Sequence, residues 1–258
     1  MQNIDANTLL TIIIGHPVNH SKSPVFQNAA LQHCGINALY TAVDIEKDNF
    51  KEVITGLKKI KLFGMNITVP YKSSILEFVD DLKDEARIIN SVNTIEVSDN
   101  KWIGHNTDWF GVFKTLETRS ISQEQNVLIV GAGGATNGLV YGLKQFGIKN
   151  ISVTNRTMEK ADTIAGIFNL NTIDYSVYKN RFNDFSMIIN STTMEFNELF
   201  DSFSDDVIYY DLKYYKSKPG MIKNYIDGKD MLLYQGTKAF EIWTKQKAPL
   251  EVMEKALS

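Results

Sequence analysis

The sequence predicts an α/β protein of two domains, the second a Rossmann-type, doubly wound dinucleotide-binding domain. Three observations lead there. Short β-branched apolar runs alternate with amphipathic helical stretches. The alternation restarts after a polar interval at residues 117–125. The restart opens on an apolar strand that runs directly into a glycine-rich loop and then a helix. At 258 residues, the chain accommodates two domains of ordinary size.

Each element follows from local chemistry. Residues 10–14 are a short apolar run that stops at Gly15 and read as a buried strand. Ser23 before Pro24 is the N-cap and first position of a helix, with Val25, Phe26, Ala29 and Ala30 on its apolar face and Gly35 at its end. Residues 39–43 form a second strand. Phe50, Val53, Ile54 and Leu57 keep the i, i+3, i+4, i+7 spacing of a helix. Residues 63–69 form a third strand closed by Pro70, so a largely parallel sheet is expected. Residues 94–97 and 102–103 flank Ser98-Asp99-Asn100 and read as a hairpin. A helix with Trp109, Phe110, Val112, Phe113 and Leu116 follows. Past the polar interval come a strand at 126–130, a helix to about Phe146 with Gly147 as its C-cap, and a strand at 151–155. Later strands are expected at 187–189 and 207–210. The last helix is expected to begin near Gly236 and to carry Ala239, Phe240, Ile242 and Trp243.

Composition narrows the function classes. The net charge is −3 and no run of Lys or Arg occurs, so neither nucleic acid nor a membrane is an expected partner. The single cysteine, Cys34, precedes Gly35 and reads as a packed thiol. It permits no intrachain disulfide and fits a cytoplasmic location. The acidic opening stretch has no signal-peptide pattern, and no apolar run reaches membrane-span length. His16 and His20 stand four apart in a proline-containing loop without a supporting acid or cysteine cluster, so no metal is expected there. His20 is expected to orient the serine loop beside it.

The loop Gly131, Ala132, Gly133, Gly134, Ala135 offers a pyrophosphate close approach to the backbone and the amides of a helix N-terminus. Thr136 takes the third glycine position of the dinucleotide pattern. Where an NAD site carries an acid at the end of the next strand, this chain has Asn155, Arg156 and Thr157. A guanidinium there pairs with a 2′-phosphate and argues for NADP.

Polar clusters past the first-half strands carry a resemblance to the shikimate dehydrogenase family. They are His20-Ser21-Lys22-Ser23-Pro24, Asn66-Ile67-Thr68-Val69-Pro70-Tyr71-Lys72, Val92-Asn93-Thr94 and Asn106-Thr107-Asp108. The glycine loop, Asn155-Arg156-Thr157 and Met231-Leu232-Leu233-Tyr234-Gln235 continue it in the family's order. The resemblance implies that Ser21 and Ser23 hold a substrate carboxylate. It implies that Thr68, Asn93 and Gln235 contact ring hydroxyls, that Tyr214 lies near the carboxylate, and that Lys72 and Asp108 are the catalytic pair. It places Asn155, Arg156, Thr157 and Met231 with the glycine loop at NADP. The implied reaction is reduction of 3-dehydroshikimate to shikimate, toward chorismate and the aromatic amino acids, in a cleft between domains. The protein is expected as a monomer or homodimer. The implied domains are 1–108, completed by helices in 236–258, and 109–235. A lysine beside the carbonyl oxygen suits this chemistry, because a developing alkoxide needs charge stabilisation and a proton.

Rival readings are a quinate/shikimate dehydrogenase of broader range and a non-catalytic ligand sensor on the same fold. The chain also departs from the family pattern. Gln27-Asn28 stands for His-Asn, residues 190–196 have lost an Asn-x-Thr-Pro-x-Gly-Met pattern that includes Glu195, and 214–219 have lost another. Asp230 replaces a glycine beside the nicotinamide, where its charge is expected to favour the oxidised ring over the reduced one, unless it turns to solvent.

Overall fold

The computed structural model describes residues 4–195, 204–214 and 222–258. Phe196 and residues 215–219, among the departures above, lie outside them. Contacts divide the chain into two units: the described residues of Met1–Thr107 with Leu233–Ser258, and Asp108–Leu232. The second unit is thus an insertion in the first. Asp108 groups with the second unit rather than the first, because it is the opening residue of a helix of that unit. Leu233, Tyr234 and Gln235 group with the first rather than the second, because the chain returns within a continuous helix.

The first unit runs β1 (Leu9–Gly15), α1 (Ser23–His33), β2 (Ala38–Asp44), α2 (Phe50–Leu57), β3 (Gly64–Ile67), β4 (Asp81–Leu82), α3 (Asp84–Ile89), β5 (Thr94–Ser98) and β6 (Lys101–His105). Among the described residues its sheet has six strands in the order β2-β1-β3-β5-β6-β4. It is mixed rather than largely parallel, since β5 pairs antiparallel with both β3 and β6. The hairpin accounts for the β5–β6 pair: Asp99 and Asn100 take φ of 50° and 61°, the left-handed pair that a tight two-residue turn requires. At α1, Lys22 rather than Ser23 is the N-cap and its side chain makes no cap bond. The hydroxyl of Ser21 instead accepts the amide of Ser23 at 3.3 Å.

The second unit runs α4 (Asp108–Thr118), β7 (Asn126–Val130), α5 (Thr136–Phe146), β8 (Asn150–Thr154), α6 (Met158–Phe168), β9 (Asn171–Thr172), β10 (Met187–Asn190), β11 (Ile208–Asp211) and β12 (Asn224–Ile226). Its strands, six among the described residues, are ordered β12-β11-β10-β7-β8-β9, and all five neighbour pairs are parallel. The order reverses between β7 and β10, which is where a doubly wound sheet opens a ligand crevice. Val127, Ile129, Leu139, Val153, Met187 and Ile189 fill one face of this sheet. Gly147 ends α5 at φ 108°, as a left-handed C-cap demands.

Two helices close the chain, α7 (Lys229–Thr244) and α8 (Leu250–Leu257). α7 begins at Lys229 rather than near Gly236, since nothing after Gly228 breaks the helical run. Gly64 lets Trp243 of α7 lie on β3: an added Cβ would stand 2.3 Å from the indole. The indole Nε1–H donates to the carbonyl of Ile95 at 3.0 Å.

Candidate active site

In the first unit the loops after β1 and β3 are drawn together by backbone bonds. The amide of His16 donates to the carbonyl of Val69 at 3.0 Å, and that of Thr68 to Ile14 at 2.8 Å. Gly15 permits the approach, because a Cβ there would meet the Thr68 methyl at 2.4 Å. Peptides His16-Pro17 and Val69-Pro70 are cis. Half-buried Thr68 and Lys72 stand at the two ends of this loop. The carbonyl of Lys72 accepts the amide of Val92 at 2.9 Å, which joins the lysine's backbone to the segment carrying Asn93.

Behind these loops lies a buried polar network. The Tyr40 hydroxyl donates to Asn66 Oδ1 at 2.7 Å, and Asn66 Nδ2 donates to the carbonyl of Asn93 and to Thr94 Oγ1, both at 3.0 Å. Asn93 Nδ2 donates to Thr107 Oγ1 at 3.0 Å, and the Thr107 amide donates to Asn93 Oδ1 at 2.7 Å. The Thr107 hydroxyl is 3.3 Å from Gln235 Oε1. Burial pushes the Tyr40 phenol far above its ordinary pKa, with the Ser23 hydroxyl bonded beside it as a smaller opposing influence. The structure therefore joins Ser23, Asn93 and Gln235 through residues given no role from sequence: Tyr40, Asn66 and Thr107. A signal existed, since Asn66 is a polar residue between Met65 and Ile67 in an otherwise apolar strand.

Two departures acquire reasons here. Gln27 is buried and its Nε2 donates to the carbonyl of Gly236 at 2.9 Å, which fixes the helical turn that carries Gln235. Asn28 bonds the backbone of Pro24 and Tyr40. His20 is exposed, and the polar contact in this loop belongs to His16, whose Nδ1 lies 2.6 Å from Asp44 Oδ1. The hydrogen bond to His16 holds the Asp44 carboxyl below its ordinary range.

In the second unit the glycine loop follows β7. Gly131 sits at φ 118°, and a Cβ on it would stand 2.7 Å from the Thr192 methyl. At Gly133 and Gly134 an added Cβ would meet nothing within 4 Å, and both residues are exposed. Packing inside the chain therefore gives no reason for glycine there; room for a ligand does. A dinucleotide fits this cradle. Arg156, exposed past β8, completes the contrast with the chain's other arginines. Arg87, Arg119 and Arg181 are ion-paired with Asp81, Asp230 and Asp184, whereas among the described residues Arg156 has no carboxylate partner.

Asp108 is buried in the first turn of α4, where the helix dipole favours a carboxylate. Tyr214 is half-buried just after β11. Beside it the buried Lys213 donates to the Met194 carbonyl at 2.6 Å and stands 3.4 Å from Asp211 Oδ2. Burial raises the Asp211 carboxyl against the opposing pull of Lys213. Met231 is buried in the core of this unit. Asp230 neither turns freely to solvent nor carries an unbalanced charge: its Oδ2 accepts from Arg119 Nε at 2.7 Å. Among the described residues no group of three His, Cys, Asp or Glu is placed to hold a metal, and no helix is long and apolar enough to cross a membrane.

The chain matches three family models. Residues 13–95 match the shikimate dehydrogenase substrate binding domain, 115–201 match shikimate / quinate 5-dehydrogenase, and 228–257 match the shikimate 5′-dehydrogenase C-terminal domain. It is 34% identical over 276 residues to a shikimate dehydrogenase (NADP(+)) of Methanococcus maripaludis, covering 99% of this chain and 98% of that one. The crystal structure of shikimate dehydrogenase from Aquifex aeolicus is similar at a TM-score of 0.90 and 36% identity, over 98% of this chain and 99% of that one. A crystal structure of a shikimate dehydrogenase in complex with NADP+ is similar at a TM-score of 0.86 and 33% identity, over 99% and 96%.

Proposed function

The chain belongs to the shikimate dehydrogenase family, and on that premise we propose that it reversibly reduces 3-dehydroshikimate to shikimate with NADPH, in the cytoplasm, on the route to chorismate. The observation that carries the reading is likeness over nearly the whole chain to NADP-dependent shikimate dehydrogenases. Arg156, without a carboxylate partner among the described residues, supports NADP over NAD. No observation favours quinate as the preferred substrate, and a sensor would have no use for the Lys72 and Asp108 pair.

The roles follow from the chemistry of each group. Ser21 and Ser23 hydrogen-bond the substrate carboxylate, with Tyr214 near it. Thr68, Asn93 and Gln235 each donate and accept, as ring hydroxyls require. Gly131, Ala132, Gly133, Gly134 and Ala135 hold the pyrophosphate at the start of α5, and Asn155, Arg156 and Thr157 hold the adenosine side with its 2′-phosphate. Met231 packs on the nicotinamide side. Bound NADPH supplies the hydride that adds to the substrate's carbonyl carbon. The Lys72 ammonium stabilises the charge that develops on the carbonyl oxygen and delivers the proton there, and Asp108 orients that ammonium.

The test is direct. Purified protein given NADP with shikimate forms NADPH, and the same protein given NADP with quinate forms it more slowly. No NADPH from shikimate overturns the reading, and a faster rate with quinate reassigns the substrate.

A further inference from the structure

Thr136 stands where the dinucleotide pattern expects its third glycine, and it is fully buried. A hydroxyl has one hydrogen and two lone pairs, and here all three are used. Thr136 Oγ1 donates to the carbonyl of Gly131 at 3.1 Å and accepts the amide of Gly133 at 3.0 Å. Its remaining lone pair faces Ser191 Oγ at 3.0 Å. With the single Thr136 hydrogen spent on Gly131, Ser191 is the donor in that contact. Gly131 follows β7 and Ser191 follows β10, the two neighbours at which the strand order reverses. The hydroxyl pair thus ties the glycine loop across the switch point of the sheet.

The ties leave a defined remainder. The amide of Gly131 donates to Thr154 at 2.8 Å, that of Ala132 to Asn155 Oδ1 at 3.2 Å, and that of Gly133 to Thr136. Of the five loop amides, those of Gly134 and Ala135, at the entrance to α5, have no partner among the described residues and are left for a ligand. Residue 191 falls inside a stretch that departs from the family pattern, so the hydroxyl that braces the loop comes from a drifted segment.

We propose that Thr136, braced by Ser191, is a positioning residue: it sets the phosphate-binding loop in its ligand-holding shape before NADP(H) arrives. Affinity for the cofactor then depends on a side chain that does not touch it, because the loop has less freedom to lose on binding. This rests on the proposed function.

The experiment is fluorescence titration of NADPH, with steady-state kinetics, on the parent, Thr136→Ala, Thr136→Ser and Ser191→Ala. Thr136→Ala raises the Kd for NADPH about five- to twentyfold. The kcat at saturating cofactor and the KM for shikimate stay within about twofold, since ground-state cofactor binding alone is lost. Thr136→Ser restores affinity to within about threefold of the parent, and Ser191→Ala lies between, as two of the three loop bonds remain. Parental affinity in Thr136→Ala overturns the proposal. So does Thr136→Ser as weak as Thr136→Ala, or a loss falling equally on kcat and on the KM for shikimate. If Thr136→Ala does not fold, Ser191→Ala decides: an unchanged Kd overturns the proposal, and a raised one supports it. A parent that binds no NADPH defeats the proposed function itself, and this inference with it.

Discussion

The buried network of the first unit and the cofactor-facing residues of the second live in opposite circumstances. In the first unit Tyr40, Asn66, Asn93 and Thr107 are buried and hydrogen-bonded to one another. In the second, Gly133, Gly134 and Arg156 are exposed, and their chemistry is turned outward. A buried polar residue that loses its partner leaves an unsatisfied group behind, whereas an exposed one returns to water. Substitutions in the buried network of the first unit should therefore cost stability as well as activity, and those at Gly133, Gly134 and Arg156 should cost cofactor affinity alone.

The largest effect tests the proposed proton transfer. Lys72→Ala should lower kcat by roughly 10² to 10⁴, the range for loss of a general acid or base, with little change in NADPH affinity. Asp108→Asn should follow it. Near-parental kcat in both variants would show that other groups move the proton. Next, Arg156→Ala should raise the KM for NADPH about ten- to a hundredfold, leave NADH use little changed, and leave the melting temperature alone. An equal loss with both cofactors would remove Arg156 from the 2′-phosphate.

Asn66→Ala sharpens the contrast from the other side. It removes the acceptor of the Tyr40 hydroxyl and the amide that donates to the Thr94 hydroxyl, at a cost of about 1–3 kcal/mol in unfolding free energy. A melting temperature as insensitive as that of Arg156→Ala would erase the difference between the units.

A smaller effect concerns pH. Burial alone would raise the Glu96 carboxyl, but bonds from Lys245 and His105 outweigh it and hold its pKa below the ordinary 4.5. A carboxyl lowered in the folded state contributes stability above its unfolded pKa and loses it as pH falls through the folded value. Glu96→Gln should thus lower the melting temperature near neutral pH, with the gap closing in acid below about 4.5. A gap that widens in acid would contradict this. The smallest effect is at Asp230, whose partly exposed pair with Arg119 contributes about 0–1 kcal/mol. Asp230→Gly should leave the ratio of NADPH to NADP Kd unchanged. A changed ratio would restore the idea that its charge discriminates the two ring states.

The sequence was most legible where local chemistry decides. The strands at β1, β7 and β8, the hairpin turn at Asp99 and Asn100, the glycine loop and the cap at Gly147 all announce themselves through residues a few positions apart. It was less legible where partners lie far apart in the chain. Nothing near Gln27 says that it will hold Gly236, and nothing near Asp230 says that Arg119 will meet it. The start of α7 is hidden for a related reason: its polar first turn lacks the apolar spacing that marks the helix after Gly236. The buried network is the intermediate case, since Asn66 is conspicuous in its strand while its partners are not.

The insertion of one unit within the other bears on the order of synthesis. Residues 108–232 form a contiguous stretch, so the contacts within that unit can form once the ribosome has passed it. The first unit waits. Gly64 and Ile95 are made early, yet the indole that covers the one and bonds the other arrives only with Trp243. During translation the half of the molecule made first is thus the half completed last, with an uncovered strand β3 through the interval. A chain released before Trp243 would present a finished second unit and an unfinished first one, a state in which chaperone binding or proteolysis would act on the amino-terminal unit.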